Sequence, residues 1–537
     1  MISQSGSLTG ALLSRGQARG IAYSTLVSVG NEASTCVGQI GNILMDDDQT
    51  DGFLLFLETI RNPQALSDFA RAAHLAGKPI IAYLVGRSEQ GQALAVSHTG
   101  AMTGAAAAAV AWLQSIGIHL VQQFDALFEA PAVLRLHTRL AQRTRHVTVV
   151  STTGGGGAMV IDQLSLRGVV IAGASEQSQQ FLVANNITPG HSGLIDVTLA
   201  GTRYEVMKSV VLQLIKDPKT GVLLVVIGSS AQFNPELAVT PIIDAVAESG
   251  ADAAPVVAFA LPHAPESISL LESGGVPSFR TLESCTEAVA LLLQARAPVP
   301  PVKSVVPSCV SELIDRAPAG VLNEITSASI FSALGIDAPR QLILSADGDL
   351  PDHFDLQFPV VAKLVSVDLP HKTDAGAIAT NLKDMTALQQ AIASMRARVV
   401  KDSPGIKIDG VLVQQMVSGT AEALIGLTRD PLVGAVVTVA AGGVMTEIYK
   451  DRCIRPAPVS VETAHEMIAE VAGFALLRGY RGRPSGDINA LARAVVAVST
   501  LATVDVIEEA EINPLLVRSE GQGVVLLDAL IRKRVSV

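Results

Sequence analysis

The sequence predicts an α/β protein made of two α/β units and a third, separate module, and three observations carry that prediction. Short apolar runs alternate with amphipathic helical stretches through the first half of the chain. A glycine-rich turn follows an early strand in each of the first two units. A proline-dense segment, Ala297-Pro298-Val299-Pro300-Pro301-Val302, then separates these units from the remainder. The boundaries drawn this way are residues 1–140, residues 146–297, a linker at 298–308, and residues 309–537.

Composition restricts the function classes. The 537 residues are 49% hydrophobic and 17% charged, ample for several buried cores. Mean hydropathy is +0.40, yet runs such as Val222–Ile227 and Val433–Ala441 fall far short of the ~20 residues a membrane span requires. They read as buried parallel strands. The opening Met1-Ile2-Ser3-Gln4-Ser5-Gly6 has no basic or apolar leader, and Cys36, Cys285, Cys309 and Cys453 have neither disulfide-scaffold nor zinc spacing. A cytoplasmic protein with no membrane partner is expected. A net charge of −11, five tyrosines and one tryptophan argue against a nucleic-acid surface.

In the first unit, Leu54–Leu57 and Pro79–Leu84 read as strands with a helix over Gln64–Ala76 between them. Glu58 follows the apolar run Phe53–Leu57, and at the carboxyl end of a parallel strand a carboxylate faces the crevice where ligands bind. It could orient an imidazole and stabilise a phosphorylated ring; a solvated strand-end carboxylate is the plainer alternative. Ser97-His98-Thr99-Gly100 sets a histidine among small hydroxylated residues and glycine, with an alanine-rich helix behind it. Such a loop suits a histidine that travels or is closely approached, although a loop histidine bonded to its neighbours has the same pattern. The second unit opens with the strand Val147–Val150 running into Gly154-Gly155-Gly156-Gly157, and it contains the further strand Val222–Ile227. Ser3–Gly10 and Ser151–Ala158 are physically alike: each leads into a helix whose unpaired N–H groups could hold one side of a phosphate, with Ser5, Gly6, Gly156 and Gly157 as contacts. An ordinary strand-to-helix turn would also need such glycines.

The third module has its own set. Phe358–Val365 is a strand with one lysine, Lys363, whose burial calls for an anion, and a phosphate would supply it. A second histidine, His371, lies in the polar turn Leu369–Ala377. The stretch Val411–Val417 could offer backbone groups at Gln415, Met416 and Val417 to a purine base. Asn513 and Asp528, on neighbouring strands, provide hard oxygen donors of the kind Mg²⁺ takes in nucleotide sites. Together these favour an ATP site.

The runs Ser97-His98-Thr99-Gly100, Ser3-Gln4-Ser5-Gly6, Val29-Gly30-Asn31, Gly86-Arg87-Ser88, His371-Lys372-Thr373-Asp374-Ala375-Gly376 and Glu511-Ile512-Asn513-Pro514-Leu515 together resemble those of the NDP-forming acyl-CoA synthetases. That family includes ADP-forming acetyl-CoA synthetases and is related to succinyl-CoA synthetase. The resemblance covers nearly the whole chain and implies two flavodoxin-like CoA-ligase domains followed by an ATP-grasp domain. It implies that His98 is phosphorylated in turnover with Glu58 supporting it, that His371 is a second relay histidine, and that helices starting near Ser5 and Gly156 hold the phosphoryl group. Lys363 would contact ATP, Glu511 would face the transferred phosphate, and Asn513 with Asp528 would hold Mg²⁺. The implied activity is ADP-forming acid–CoA ligation of a small carboxylic acid with CoA and ATP, through phosphohistidine and acyl phosphate, by an oligomeric enzyme. A catalytically silent sensor of nucleotide or acyl-CoA, and an ATP-grasp ligase without phosphohistidine, are the rival classes. Two departures concern the purine contacts: Gln414-Gln415-Met416 lacks an acidic residue, and Ala440-Ala441-Gly442-Gly443 is looser than a glycine-rich turn.

Members of the family normally begin with a Rossmann-like CoA-binding domain of roughly a hundred or more residues. The resemblance therefore implies an upstream CoA-binding segment, either encoded before Met1 or carried by a separate polypeptide, and poor CoA binding without it. Typical strands run about five or six residues, so a strand of one or two residues at the amino terminus is not expected to fill a central place in a sheet. An exposed apolar edge beside Ser3–Gly6 is expected instead.

Overall fold

The computed structural model describes residues 1–88, 90–91, 105–188, 190, 193–198, 201, 203–347, 349–351, 353–369, 375–442, 451–482 and 484–535. Two compact units make up the chain: Met1–Thr103 with Leu113–Val299, and Gly104–Trp112 with Pro300–Val537. Among the described residues no helix is long and apolar enough to cross a membrane.

The first unit contains two parallel sheets. The first has β1 (Ile2–Ser3), β2 (Val27–Ser28), β3 (Phe53–Leu57), β4 (Ile80–Leu84) and β5 (His119–Val121), in the order β2-β1-β3-β4-β5. All its pairs are parallel, and β3 is buried at every position, as its unbroken apolar sequence requires. The second sheet has β6 (His146–Ser151), β7 (Val170–Ile171), β8 (Leu194–Asp196), β9 (Val222–Ile227), β10 (Val256–Ala260) and β11 (Ser278–Phe279). Its order is β11-β10-β9-β6-β7, with β8 also paired to β6.

The expectation for the amino terminus fails. The two-residue β1 sits between β2 and β3 and pairs with both. Backbone bonds beyond its ends explain this: Val27 N–H donates to Met1 O, Val29 N–H to Ser3 O, and Gln4 N–H to Phe56 O. The pairing thus reaches from Met1 to Gln4, and Met1, Ile2, Ser3 and Gln4 are all buried, so the described structure has no exposed apolar edge there.

The two sheets share one apolar core, to which Leu12, Phe56, Val121 and Phe128 contribute from the first and Val149, Leu224, Phe259 and Phe279 from the second. A buried carboxylate also joins them. Glu287, on the helix Leu282–Gln294, accepts the N–H groups of Gln122 at 2.5 Å and Gln123 at 3.0 Å, just after β5.

The second unit contains two antiparallel sheets. Its strands are β12 (Gly320–Val321), β13 (Gln341–Leu344), β14 (Val360–Val365), β15 (Ile378–Leu382), β16 (Gly410–Gln415), β17 (Ala421–Asp430), β18 (Gly434–Ala441), β19 (Arg452–Pro456), β20 (Ile507–Val517), β21 (Val524–Leu526) and β22 (Ala529–Lys533). One sheet runs β13-β16-β14-β15; the other runs β12-β22-β20-β17-β18-β19, with β21 on β20. The run read as a buried parallel strand near Val433–Ala441 is therefore β18, antiparallel to both neighbours. Its burial signal was sound, but an apolar run carries no information on strand direction.

Replacing Glu287 by alanine removes the acceptor of two N–H groups and should cost about 1 to 2 kcal/mol. Urea unfolding monitored by circular dichroism should show the lower midpoint, with Glu287→Gln losing less; an unchanged midpoint in Glu287→Ala would refute the role.

Candidate active site

Corresponding elements of the two parallel sheets build a similar turn. At the end of β1, Ser3 Oγ accepts Ser5 N–H at 3.1 Å and donates to Ser5 O at 2.9 Å. At the end of β6, Ser151 Oγ accepts Thr153 N–H at 3.1 Å and donates to Thr153 O at 2.6 Å. The residue after each serine reaches across to the neighbouring strand. Gln4 Oε1 accepts the N–H groups of Glu58 and Thr59, directly beyond β3, at 2.5 and 3.0 Å. Thr152 Oγ1 accepts Gly228 N–H, directly beyond β9, at 2.9 Å. A local side-chain bond thus turns the chain, and a cross-strand bond fixes where the turn sits.

The first of these turns is held further. Gln4 Nε2 donates to Thr59 O and to Glu32 Oε1, each at 3.0 Å, and the same Glu32 oxygen accepts Val37 N–H at 2.8 Å. Val37 opens the helix Val37–Ile43, where a carboxylate is favoured by the partial positive charge. Glu32 has φ 54°, a left-handed conformation that costs a non-glycine residue about 1 to 3 kcal/mol and persists only where bonds such as these hold it. Glu58 is half-buried at the carboxyl end of β3, as its place in the sequence predicts. In the second sheet the corresponding first residue beyond β9 is Gly228, which has no side chain to offer.

The expected phosphate contacts need adjustment. The first helix begins at Thr9, not near Ser5, so Ser5 and Gly6 lie in the turn that precedes it, and Ser5 N–H is already bonded to Ser3. The second helix runs Gly154–Leu166, two residues earlier than expected. Gly157 N–H bonds Thr153 O within the helix, while Gly154, Gly155 and Gly156 occupy the first turn, whose N–H groups have no intrahelical partner. The last two glycines serve packing: a Cβ on Gly156 would lie 2.8 Å from Thr153 Cγ2, and one on Gly157 would lie 2.6 Å from Leu194 Cδ1. His98 and His371 lie outside the described residues.

In the second unit, Lys363 on β14 is 4% exposed and its anion is a carboxylate, Glu324, with Nζ 2.7 Å from Oε1. The phosphate expected as its counterion is therefore not required for its burial in this state. Glu324 opens the helix Glu324–Ala333, whose start is fixed by Asn323 Oδ1 accepting Thr326 N–H at 3.0 Å. Lys363 Nζ also donates to Leu527 O. This bond ties β14 to the segment between β21 and β22 and brings the cation one residue from Asp528.

Asp528 is next to Asn513 in the structure, because Asn513 N–H donates to Asp528 O at 3.1 Å and the adjacent residues Ile512 and Ala529 are paired. Asn513 Nδ2 donates to Glu511 Oε1 at 3.2 Å. Lys363 Nζ thus reaches the backbone carbonyl one residue before Asp528, and Asp528 in turn adjoins Asn513 and, through it, Glu511. Among the described residues no three His, Cys, Asp or Glu side chains are arranged to hold a metal ion by themselves. The donor set here fits Mg²⁺ only as a partial shell, which suits an ion that keeps waters and phosphate oxygens as its other ligands. The hinge is more restricted than the sequence suggests: β16 ends at Gln415, whose N–H is bonded to Arg340 O, and Met416 N–H is bonded to Pro359 O. Of the three proposed base contacts, Val417 alone has no backbone donor bond among those described.

Sequence reasoning missed Ser3, Gln4, Glu32, Ser151, Thr152 and Glu324. The repeated hydroxyl pattern Ser3-x-Ser5 and Ser151-x-Thr153 was a signal that could have found the serines. Glu324 gave none, since it lies 39 residues from its partner.

A family model described as succinyl-CoA ligase like flavodoxin domain matches residues 1–134, and one described as ATP-grasp domain matches residues 314–532. A trans-feruloyl-CoA synthase from an unknown prokaryotic organism is 30% identical over 98% of this chain and 75% of its own length. An acetate–CoA ligase (ADP-forming) I from Archaeoglobus fulgidus is 29% identical over 98% of this chain and 76% of its own length. The beta subunit of an acetate–CoA ligase (ADP-forming) II from Pyrococcus furiosus is 32% identical over 39% of this chain and 89% of its own. With its parallel flavodoxin-like sheet, its ATP-grasp domain and this whole-length likeness, the chain belongs to the family of NDP-forming acyl-CoA synthetases, the ADP-forming acid–CoA ligases.

Proposed function

We propose that this chain catalyses ADP-forming acid–CoA ligation, joining a small carboxylic acid to CoA at the expense of ATP through a phosphohistidine. The observation that supports it most is the gathering of Lys363, Glu511, Asn513 and Asp528 in the ATP-grasp unit, which combines a cation for phosphate with oxygen donors for Mg²⁺. ATP binds there. Lys363 turns from Glu324 toward the nucleotide phosphates; Asn513 and Asp528, with Glu511 beside them, would hold Mg²⁺, which would supply charge neutralisation to the phosphates. The terminal phosphoryl group passes to a histidine nitrogen, with the bond to ADP breaking as the N–P bond forms. His371 receives it on the nucleotide side and His98 on the acyl side.

At the acyl side Glu58 accepts the imidazole N–H and keeps the opposite nitrogen as the one that carries phosphate. Gln4 fixes the backbone of Glu58, so the point from which this side chain departs is set before any ligand arrives. The turn at Ser5 and Gly6 and the helix start at Gly154–Gly156 hold the phosphoryl oxygens. A carboxylate oxygen of the acid attacks phosphorus and the N–P bond breaks, giving an acyl phosphate. The CoA thiolate then attacks the acyl carbon and phosphate leaves. In P. furiosus the matching relatives are separate alpha and beta subunits, covering 55% and 39% of this chain, which supports a reading in which CoA binding here can likewise draw on a separate domain or chain.

Incubation with γ-labelled ATP and Mg²⁺ should give an acid-labile, base-stable phosphoprotein whose label is lost on adding a carboxylic acid and CoA. His98→Ala should make no acyl-CoA, and His371→Ala should accept label from acyl phosphate but not from ATP. Transfer from ATP to His98 at the wild-type rate in His371→Ala would overturn the order of the relay. Lys363→Ala should weaken Mg-ATP binding about tenfold or more in calorimetry, as loss of a charge-assisted contact implies. It should also cost about 3 to 5 kcal/mol of stability by leaving the Glu324 carboxylate buried beside no cation. The double variant Glu324→Gln/Lys363→Met should regain most of that stability while still binding ATP weakly. Wild-type affinity in the double variant would exclude Lys363 from the site.

A further inference from the structure

A cavity of about 270 Å³ opens in the first unit at the amino-terminal ends of β4 and β5. The carboxyl ends of the parallel strands carry Glu58 and the turn at Ser5, so this cavity lies at the opposite edge of the sheet from the phosphoryl site. Its walls are partly apolar, with Ile80, Leu134, Leu140 and Leu292, and six basic residues line it: His74, Lys78, His119, His137, Arg145 and Arg296. They come from the helix Pro63–Leu75, the lead into β4, β5, the short helix His137–Leu140, the lead into β6, and the segment after the helix Leu282–Gln294. No lining residue is acidic.

Three of the basic groups contact backbone oxygens. Arg145 Nη1 donates to Leu293 O and Ala295 O at 2.8 and 2.9 Å, Lys78 Nζ to Met45 O and Asp47 O at 2.9 and 3.0 Å, and His137 Nδ1 lies 3.0 Å from Leu134 O. Outside the lining, the Asp47 carboxylate accepts from Thr50 and Gln49 and also lies within the field of Lys78, which it partly offsets, leaving the excess of positive charge to the arginines and histidines. Burial, and to a lesser extent the nearby His137 and His74, lowers the pKa of His119 to about 4. A concave site of a single sign with apolar walls concentrates field and attracts counter-ions.

We propose that this cavity binds a compact polyanion of two or three charges, a small polycarboxylate or phosphorylated acid, at a site separate from phosphoryl transfer. Its volume lies just below the about 300 to 1,000 Å³ of pockets for drug-sized ligands, which suits a compact anion. Anion binding would offset the mutual repulsion of the basic groups and raise the basicity of His119.

Calorimetric titration of the full chain without Mg²⁺, using citrate and inorganic pyrophosphate in separate runs, tests this. At least one should bind; citrate alone would assign the carboxylate class, and pyrophosphate alone the phosphate class. His137→Gln/Arg296→Gln, which leaves the structural bonds of Arg145 intact, should weaken that binding about tenfold or more. Binding should persist in Lys363→Ala, which separates this site from the nucleotide site. In protein labelled at histidine, the His119 imidazole resonance, assigned with His119→Gln, should shift on titration. Absence of binding by both anions at millimolar concentration, or binding of undiminished strength in the double variant with a stationary His119 signal, would overturn the proposal.

Discussion

The ammonium group of Lys363 is the constraint on which the ATP-grasp unit turns. Its strand belongs to the four-stranded sheet, its carboxylate partner Glu324 starts a helix, and its second acceptor, Leu527 O, belongs to the segment beside the seven-stranded sheet. A cation this deeply buried is costly unless fully partnered, so the groups around it cannot separate without exposing that cost. The arrangement also keeps a positive charge ready one residue from Asp528. In the proposed mechanism an arriving phosphate would compete with Glu324 for a charge that is already desolvated, which would reduce the reorganisation left for binding.

The first unit solves a different problem, that of fixing the backbone from which a strand-end carboxylate projects. The serine at the end of β1 and the serine at the end of β6 make equivalent hydrogen bonds, and the next residue in each case bonds to the neighbouring strand. The two modules thus share a local device, and their difference lies in what it presents. Beyond β3 it presents Glu58; beyond β9 it presents Gly228. One turn therefore carries a charged side chain and the other only backbone, which is the difference the proposed roles of the two turns rest on.

Legibility in the sequence followed the range of the interaction. The strands Phe53–Leu57 and Val222–Ile227 were readable because burial on both faces leaves an uninterrupted apolar run. Glu58 was found because its position follows from the strand before it. Strand direction was not readable, and Val433–Ala441 was taken as parallel when its partners are antiparallel. The central place of β1 was missed because its pairing continues through backbone bonds of Met1 and Gln4, outside the strand itself. Glu324 and Gln4 were missed for a related reason: each acts on residues 39 to 55 positions away, and no local pattern marks such a partner. The glycines of the second turn are legible in the sequence, but only the structure shows that Gly154, Gly155 and Gly156 form the first helical turn and that Gly156 and Gly157 also make room for Thr153 and Leu194.

The central claim is that phosphate leaves ATP onto the protein before any acid is engaged. Isotope exchange between labelled ADP and ATP, measured with Mg²⁺ and with neither carboxylic acid nor CoA present, tests it most directly. A covalent phosphoenzyme predicts steady exchange under these conditions, abolished in His371→Ala. Exchange that appears only once a carboxylic acid is added would mean that ATP phosphorylates the acid directly, and it would contradict the account.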